Sequence, residues 1–129
     1  LDAFSSDAVP VHLLTREALA LYVAKLAPEG VVLLHLSNRH LDLTALEAAL
    51  AADAGLAGRV QVYNPAEPDA ADGGPSAHER SSSIWAIMAR DEAALGPLAA
   101  DSRWTRLQAK PGARPWTDGF SDLARAIRW

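Results

Sequence analysis

The stretch that decides the fold of this chain is Val31-Val32-Leu33-Leu34-His35-Leu36, followed directly by Ser37-Asn38. Apolar side chains fall on both alternating faces of this run. That pattern is typical of a strand in the middle of a parallel sheet, where helices cover both faces. The run therefore predicts a central parallel strand that ends at Ser37.

Helical patterns flank this strand on both sides. Upstream, Thr15 predicts an N-cap, and apolar residues that recur at every fourth position predict a helix over 15–27. Downstream, Asp42 and Thr44 are good capping residues for a second helix over 43–54. The strand is thus expected to lie between two helices.

The rest of the chain continues the alternation of strands and helices. A stretch at 64–80, rich in Pro, Gly, Asp, Ala and Ser, is predicted to be a mobile loop. A loop of this length could let the strand that follows it insert antiparallel to the others. The order predicts one α/β domain over 1–129. Its further predicted elements are strands at 60–63 and 82–90, a short helix at 92–100, and a C-terminal amphipathic helix with Leu123 and Ile127.

Polar residues follow the central strand and precede the first helix. In open α/β sheets, ligands bind outside the carboxyl ends of the strands. This rule places 2–10 and 37–40 at the ligand edge of the predicted sheet. Ser37 and Asn38 are accordingly predicted to bind substrate.

Composition excludes several classes of function. The net charge of −4 argues against a nucleic-acid partner, and the absence of cysteine rules out disulfides and thiolate metal sites. The four histidines have no zinc-motif spacing, so no metal is predicted. No G-x-S-x-G motif supports a hydrolase, and no apolar run is long enough to span a bilayer. We expect a cytoplasmic chain without membrane contact.

Four stretches resemble spermidine synthase-like proteins, including those fused to membrane transporter segments. The first is the most specific, and the resemblance that they mark extends over nearly the whole chain. They are LDAFSSDAVPVHLLT at 1–15, HLSNRHLDL at 35–43, SIWAIMARD at 83–91 and WTDGFSDL at 116–123.

The resemblance implies a Rossmann-like, three-layer fold of the class I methyltransferase type. Such a fold has a mixed seven-stranded sheet whose last strand is antiparallel. Leu1 would be the end of the fourth strand, and this chain would supply strands five to seven. On this view the chain is the C-terminal half of a domain and belongs to a longer protein.

The resemblance also implies a reaction. Spermidine synthases transfer an aminopropyl group from decarboxylated S-adenosylmethionine to the amine putrescine, helped by an acidic residue just after strand four. Asp7 is the first choice for that catalytic role and Asp2 the second. The choice between them stays open, because the two are five positions apart where the family pattern has three. Asp7 could equally be a turn residue that binds backbone N–H groups. By the same matching, Pro10, Val11 and Leu14 would line the cofactor pocket.

Several expectations follow from what the chain does not contain. It has no glycine-rich loop of the G-x-G-x-x-G type, which this fold uses to hold its cofactor. We therefore expect it to be inactive alone and to bind no co-substrate by itself. The alternatives are a methyltransferase that uses S-adenosylmethionine, or a non-catalytic association module on the same fold. A homodimer is expected because an apolar strand edge attracts a second chain. If the parent protein carries transporter helices, the chain would lie at the cytoplasmic face of the membrane.

Overall fold

The computed structural model describes residues 1, 10–38, 40–64 and 82–127. These residues form three α-helices and four strands, so the mixed helix and strand content predicted from the sequence is confirmed. Short 3₁₀ turns at Val11–Leu13 and Gly96–Ala99 complete the secondary structure. The helices are α1 (Arg16–Lys25), α2 (Thr44–Asp53) and α3 (Leu123–Ala126), and the strands are β1 (Val31–His35), β2 (Ala57–Tyr63), β3 (Ser83–Ala89) and β4 (Thr105–Arg106).

The four strands form one open sheet in the order β1-β3-β2-β4. β3 is antiparallel to both β1 and β2, with Ala86 opposite Leu34 on one side and opposite Val60 on the other. β1 and β2 therefore run in the same direction, with β3 between them. The prediction that the strand after the long loop can insert antiparallel is confirmed.

The prediction that β1 is a central strand with both faces covered is wrong for the described residues. β1 lies at the edge of the sheet, and its pairing partner β3 is antiparallel to it. Val32 and Leu34 are buried, but Val31 and Leu33 on the opposite face are 38% and 39% exposed. The apolar sequence shows that burial of both faces would be favourable. It does not show whether another helix or strand packs on the second face.

Leu1 lies beside the outer edge of β1. Its amino group donates a hydrogen bond to the carbonyl of Leu33, and its own carbonyl accepts one from His35 N at 3.1 Å. One residue that bonds to positions on either side of its neighbour, here Leu34, is the pattern of a parallel pair. Leu1 therefore sits where a strand parallel to β1 would end.

Helix α1 is capped at both ends. The Thr15 hydroxyl accepts a hydrogen bond from Ala18 N at 3.2 Å, as its position before the helix predicts. After the last turn, the Arg90 guanidinium donates to the carbonyls of Val23 and Ala27 at 2.7 and 2.6 Å. A cation at a helix C-terminus satisfies free carbonyls and matches the dipole. The end of β3 thereby fixes the end of α1.

Helix α2 is buried on nearly every side. The Asp42 carboxylate accepts a hydrogen bond from Thr44 N at 3.0 Å, but the N-cap position is occupied by Leu43, which makes no side-chain capping bond. The prediction that Asp42 or Thr44 is the N-cap is therefore wrong, although Asp42 does satisfy one free N–H of the first turn. Buried residues run without interruption from Leu46 to Ala51. α2 therefore forms the centre of the main core, whose fully buried members also include Leu14, Leu36, Leu43, Met88 and Trp116.

A smaller cluster covers the other face of the sheet near β2. Ile87 and Leu95 are its buried centre, with Trp104 packed against them. The predicted helix over 92–100 is instead a series of turns that ends in the 3₁₀ turn Gly96–Ala99, because Gly96 adopts a left-handed φ of 56°.

A buried arginine of β2 takes part in an ion-pair network on this side of the sheet. Arg59 is 5% exposed, and its guanidinium binds Glu92 with an N–O distance of 2.6 Å. Glu92 also binds Arg106 of β4 at 3.0 Å. The hydrogen bond from Arg59 lowers the pKa of Glu92. Strand β4 was not predicted from the sequence. It has only two residues, and it forms by antiparallel pairing with Arg59 and Val60 of β2.

The predicted C-terminal helix is present but short. The C-terminal helix is four residues long and is capped by Asp122, which accepts a hydrogen bond from Arg125 N at 3.3 Å. The predicted mobile loop at 64–80 lies, apart from residue 64, outside the described residues. Among the residues that are described, none of the helices has the length and hydrophobicity to cross a membrane.

Candidate functional site

Two neighbouring clefts lie along the segment that precedes α3. The first, which we call the Asp118 cleft, has a volume of about 600 Å³. The second, which we call the Lys110 cleft, has a volume of about 730 Å³. Phe120 lines both of them. The Asp118 cleft is lined by Val11, His12, Thr15, Thr117, Asp118, Gly119, Phe120 and Ser121. The Lys110 cleft is lined by the start of α2, the loop at 110–116, Phe120, and residues of α3 with its cap.

A tight turn presents Asp118 at the mouth of its cleft. The backbones of Thr117 and Phe120 exchange two hydrogen bonds, at 2.9 and 3.0 Å. The Thr15 hydroxyl donates to the Asp118 carboxylate at 2.8 Å, and Asp118 N donates to the Glu17 carboxylate at 3.0 Å. The Asp118 carboxylate is therefore held by Thr15 just before α1, and the Glu17 carboxylate binds the backbone of the same turn. This arrangement suits a cationic ligand, because an ammonium group binds carboxylates well.

The three residues predicted to line a cofactor pocket have different positions. Val11 lines the Asp118 cleft, so it lies near Asp118. The Pro10 carbonyl accepts a hydrogen bond from Leu13 N at 2.9 Å and starts the 3₁₀ turn. Leu14 is only 2% exposed and packs in the main core. The cofactor role of all three stays a prediction.

The two residues predicted to bind substrate make local hydrogen bonds after β1. The Ser37 hydroxyl accepts a hydrogen bond from Ile84 N at 2.9 Å. The Asn38 side-chain oxygen accepts from His40 N and Leu41 N at 2.8 and 2.9 Å. Both side chains fix the path of the loop, and neither lines the two clefts. Their role in substrate binding also stays a prediction.

The two predicted catalytic acids, Asp2 and Asp7, lie outside the described residues. Asp118 is the acidic residue that the structure adds near Val11. The sequence carried a signal for it, since it lies in the stretch 116–123 that resembles the spermidine synthase-like family. That resemblance marks the whole stretch and does not single out Asp118. Only the fold brings Asp118 next to Thr15, which is 103 positions away in the sequence.

A second acidic residue, Glu47, has an unusual environment in α2. Its side chain is 1% exposed, and both carboxylate oxygens are buried without a hydrogen-bond partner. Burial raises the pKa of Glu47 from 4.5 to about 8. The pKa of Tyr22 is also raised, first by its own burial and then by the nearby Glu47. Glu47 lines neither cleft, so it is a feature of the core.

Metal ligands are not grouped in the described part of the chain, where no three His, Asp or Glu residues come close enough to hold an ion.

Comparison with known proteins gives no match: no family model, no curated protein and no solved structure matches this chain. The resemblance to spermidine synthase-like proteins therefore remains a prediction from the sequence motifs.

Proposed function

We propose that this chain is the C-terminal part of a spermidine synthase-like transferase of Rossmann-like, methyltransferase-type fold. Its reaction would move an aminopropyl group from decarboxylated S-adenosylmethionine to a polyamine. The observation that carries the proposal is the sheet. β3 lies antiparallel between β1 and β2, and Leu1 pairs with β1 as the end of a parallel strand. Both features match what the sequence resemblance implies for the second half of such a domain.

The Asp118 cleft supports an amine as the acceptor. Val11 and Asp118 lie in the same cleft, and Glu17 is hydrogen-bonded to the turn that carries Asp118. Carboxylates bind an alkylammonium group and also accept the proton that the amine must lose before it attacks. Asp118 would hold the amine, while Asp7 or Asp2 would accept its proton.

The proposed chemistry is one displacement at carbon. The lone pair of the deprotonated amine attacks the methylene carbon attached to the positively charged sulfur. A C–N bond forms as the C–S bond breaks, and the electron pair of the broken bond stays on sulfur to give methylthioadenosine. The proton lost by the amine goes to a carboxylate. Because the sulfonium is already a good leaving group, most of the remaining assistance is correct placement of the two reactants.

The test is a titration of the chain with putrescine, followed by the chemical shifts of its backbone amides. We expect shifts at Val11 and at 117–121, around the Asp118 carboxylate. Asp118→Asn should remove these shifts, because it removes the charge that holds the ammonium group. Asp91→Asn is the matched control, since Asp91 is an exposed turn residue that does not line this cleft. Absence of any shift at millimolar putrescine would contradict the proposal.

Turnover provides an independent check. The chain has no glycine-rich G-x-G-x-x-G loop of the kind that holds the cofactor in this fold, so we expect no methylthioadenosine from decarboxylated S-adenosylmethionine and putrescine when the chain is alone. Calorimetric titration with methylthioadenosine should likewise give no heat. Micromolar binding of methylthioadenosine would show that this chain already forms a complete pocket, and the expectation of half a site would be wrong.

A second candidate is a non-catalytic association module, which one specific observation favours. Val31 and Leu33, on one face of the edge strand β1, are 38% and 39% exposed, and Leu1, which pairs with β1, is 44% exposed. Exposed apolar residues on an edge strand invite pairing with another chain. A homodimer would then be the working form. If the wild-type chain does not bind putrescine but does associate with itself, this candidate is favoured.

A further inference from the structure

The Lys110 cleft differs in charge from its neighbour. Three basic side chains and two acidic ones line it: Lys110, Arg114 and Arg125 against Asp42 and Asp122. Its volume of about 730 Å³ is ample for a small organic molecule. This cleft plays no part in the amine reaction proposed above.

Among the described residues, three of the five charged groups have no ionic partner: Lys110, Arg114 and Asp42. Arg125 binds Asp122 at 3.2 Å, and the Asp42 carboxylate accepts a hydrogen bond from the backbone N–H of Thr44. Lys110 and Arg114 make no ion pair with any described residue. Both lie on one loop and line the same cleft. The local surplus of charge is therefore positive, although the chain as a whole carries −4.

The remaining wall of the cleft is aromatic and apolar. Trp116 is 3% exposed, and its carbonyl accepts a hydrogen bond from Arg16 N at 2.8 Å, which fixes the base of the loop. Phe120 is 51% exposed, so its ring is open to a ligand. Leu46 and Ala126 complete the apolar side. A planar group can therefore lie against this wall while an anionic group reaches the two cations.

We propose that the Lys110 cleft binds a small planar molecule that carries a phosphate group. A phosphate monoester has a charge close to −2 at neutral pH, which matches two unpaired cations better than a single carboxylate does. The guanidinium of Arg114 presents a fork of donors that fits phosphate oxygens, and Lys110 supplies a second positive charge. The planar part of the ligand packs on Phe120.

Calorimetric titration of the whole chain with adenosine 5′-monophosphate tests the proposal. Adenosine and inorganic phosphate serve as separate probes of the two halves of the ligand. We expect the nucleotide to bind more tightly than either half. The double variant Lys110→Gln with Arg114→Gln should weaken nucleotide binding by about tenfold, because it removes both charge-assisted contacts. Higher salt should weaken the wild-type interaction as well.

Matched variants separate the site from a general effect of charge or folding. Lys25→Gln removes one exposed cation from the end of α1 and should leave nucleotide binding unchanged. Phe120→Ala should weaken binding of the nucleotide and leave that of phosphate as it was. Circular dichroism melts identify any variant that fails to fold.

Three results would overturn the proposal. The first is the absence of nucleotide binding to the folded wild-type chain. The second is an affinity for the nucleotide that stays the same in the Lys110 and Arg114 double variant. The third is an affinity for adenosine or for phosphate alone equal to that for the nucleotide, which would show that one half of the assigned ligand is not recognised.

Discussion

Glu47 shows how one buried residue sets a pH dependence. Its carboxyl group has no hydrogen-bond partner, and its pKa is raised from 4.5 to about 8. Above pH 4.5 the unfolded chain loses this proton while the folded chain keeps it up to about pH 8. The contribution of Glu47 to stability is therefore fully present below 4.5 and falls as the pH rises to about 8.

This sign gives a prediction for Glu47→Gln. Glutamine has nearly the same shape and does not ionise, so the variant should match the wild type near pH 4 and exceed its unfolding free energy by about 3 kcal/mol near pH 7. Urea unfolding across this pH range measures the difference. Glu29→Gln, at an exposed position, is the control and should follow the wild-type curve. A difference that does not change with pH would contradict the prediction.

Among the elements, α1 depends on a contact that joins distant parts of the chain. The hydroxyl of Thr15 is both acceptor for Ala18 N and donor to Asp118. One buried side chain therefore caps the helix and fixes the turn that lines the Asp118 cleft. A capping residue of this kind is recognisable in the sequence, whereas its second partner is known only from the fold.

Thr15→Val should expose that double role. Valine keeps the shape and removes both hydrogen bonds, so we expect a loss of about 1–2 kcal/mol of unfolding free energy. The amides of Thr117 and Asp118 should also exchange faster, because their turn loses its anchor. Thr105→Val is a suitable control, since Thr105 is exposed on β4 and makes a longer hydrogen bond of 3.3 Å. Equal stability of the two variants would show that the cap contributes little.

For the whole molecule, the exposed apolar residues of the edge strand β1 are the feature that bears on association. Leu33 is 39% exposed next to Leu1, while Val32 and Leu34 on the opposite face are buried. Association through this edge would remove apolar surface from water at little structural cost. The residues that would break it are exposed, so they can be changed without opening the core.

Leu33→Glu tests association directly. We expect light scattering to show a dimer of the wild-type chain at high concentration and a monomer for the variant, because a charge at the edge opposes strand pairing. Thermal unfolding of the variant should stay close to that of the wild type at low concentration. Val62→Glu, at a 65% exposed site on β2, should still dimerise. A wild-type chain that is monomeric at all concentrations would rule this interface out.

The amino-acid sequence by itself determined the elements whose signals are local. The Thr15 cap, the apolar positions of α2 and the strand at 83–89 follow from side chains that are close in the chain, and the structure has them where the pattern predicts. The two-residue strand β4 and the buried pair of Arg59 with Glu92 gave no local signal. Both depend on residues more than thirty positions apart.

Only the tertiary structure decided which elements are neighbours. β1 looked like a central strand because its two faces are equally apolar, yet the described fold places it at the edge and leaves Leu33 exposed. The same distant packing brings Asp118 to Thr15 and places Lys110 and Arg114 around one cleft. The hydrophobic pattern of a sequence indicates which side chains favour burial. Contacts between residues far apart in the chain determine which elements cover those side chains.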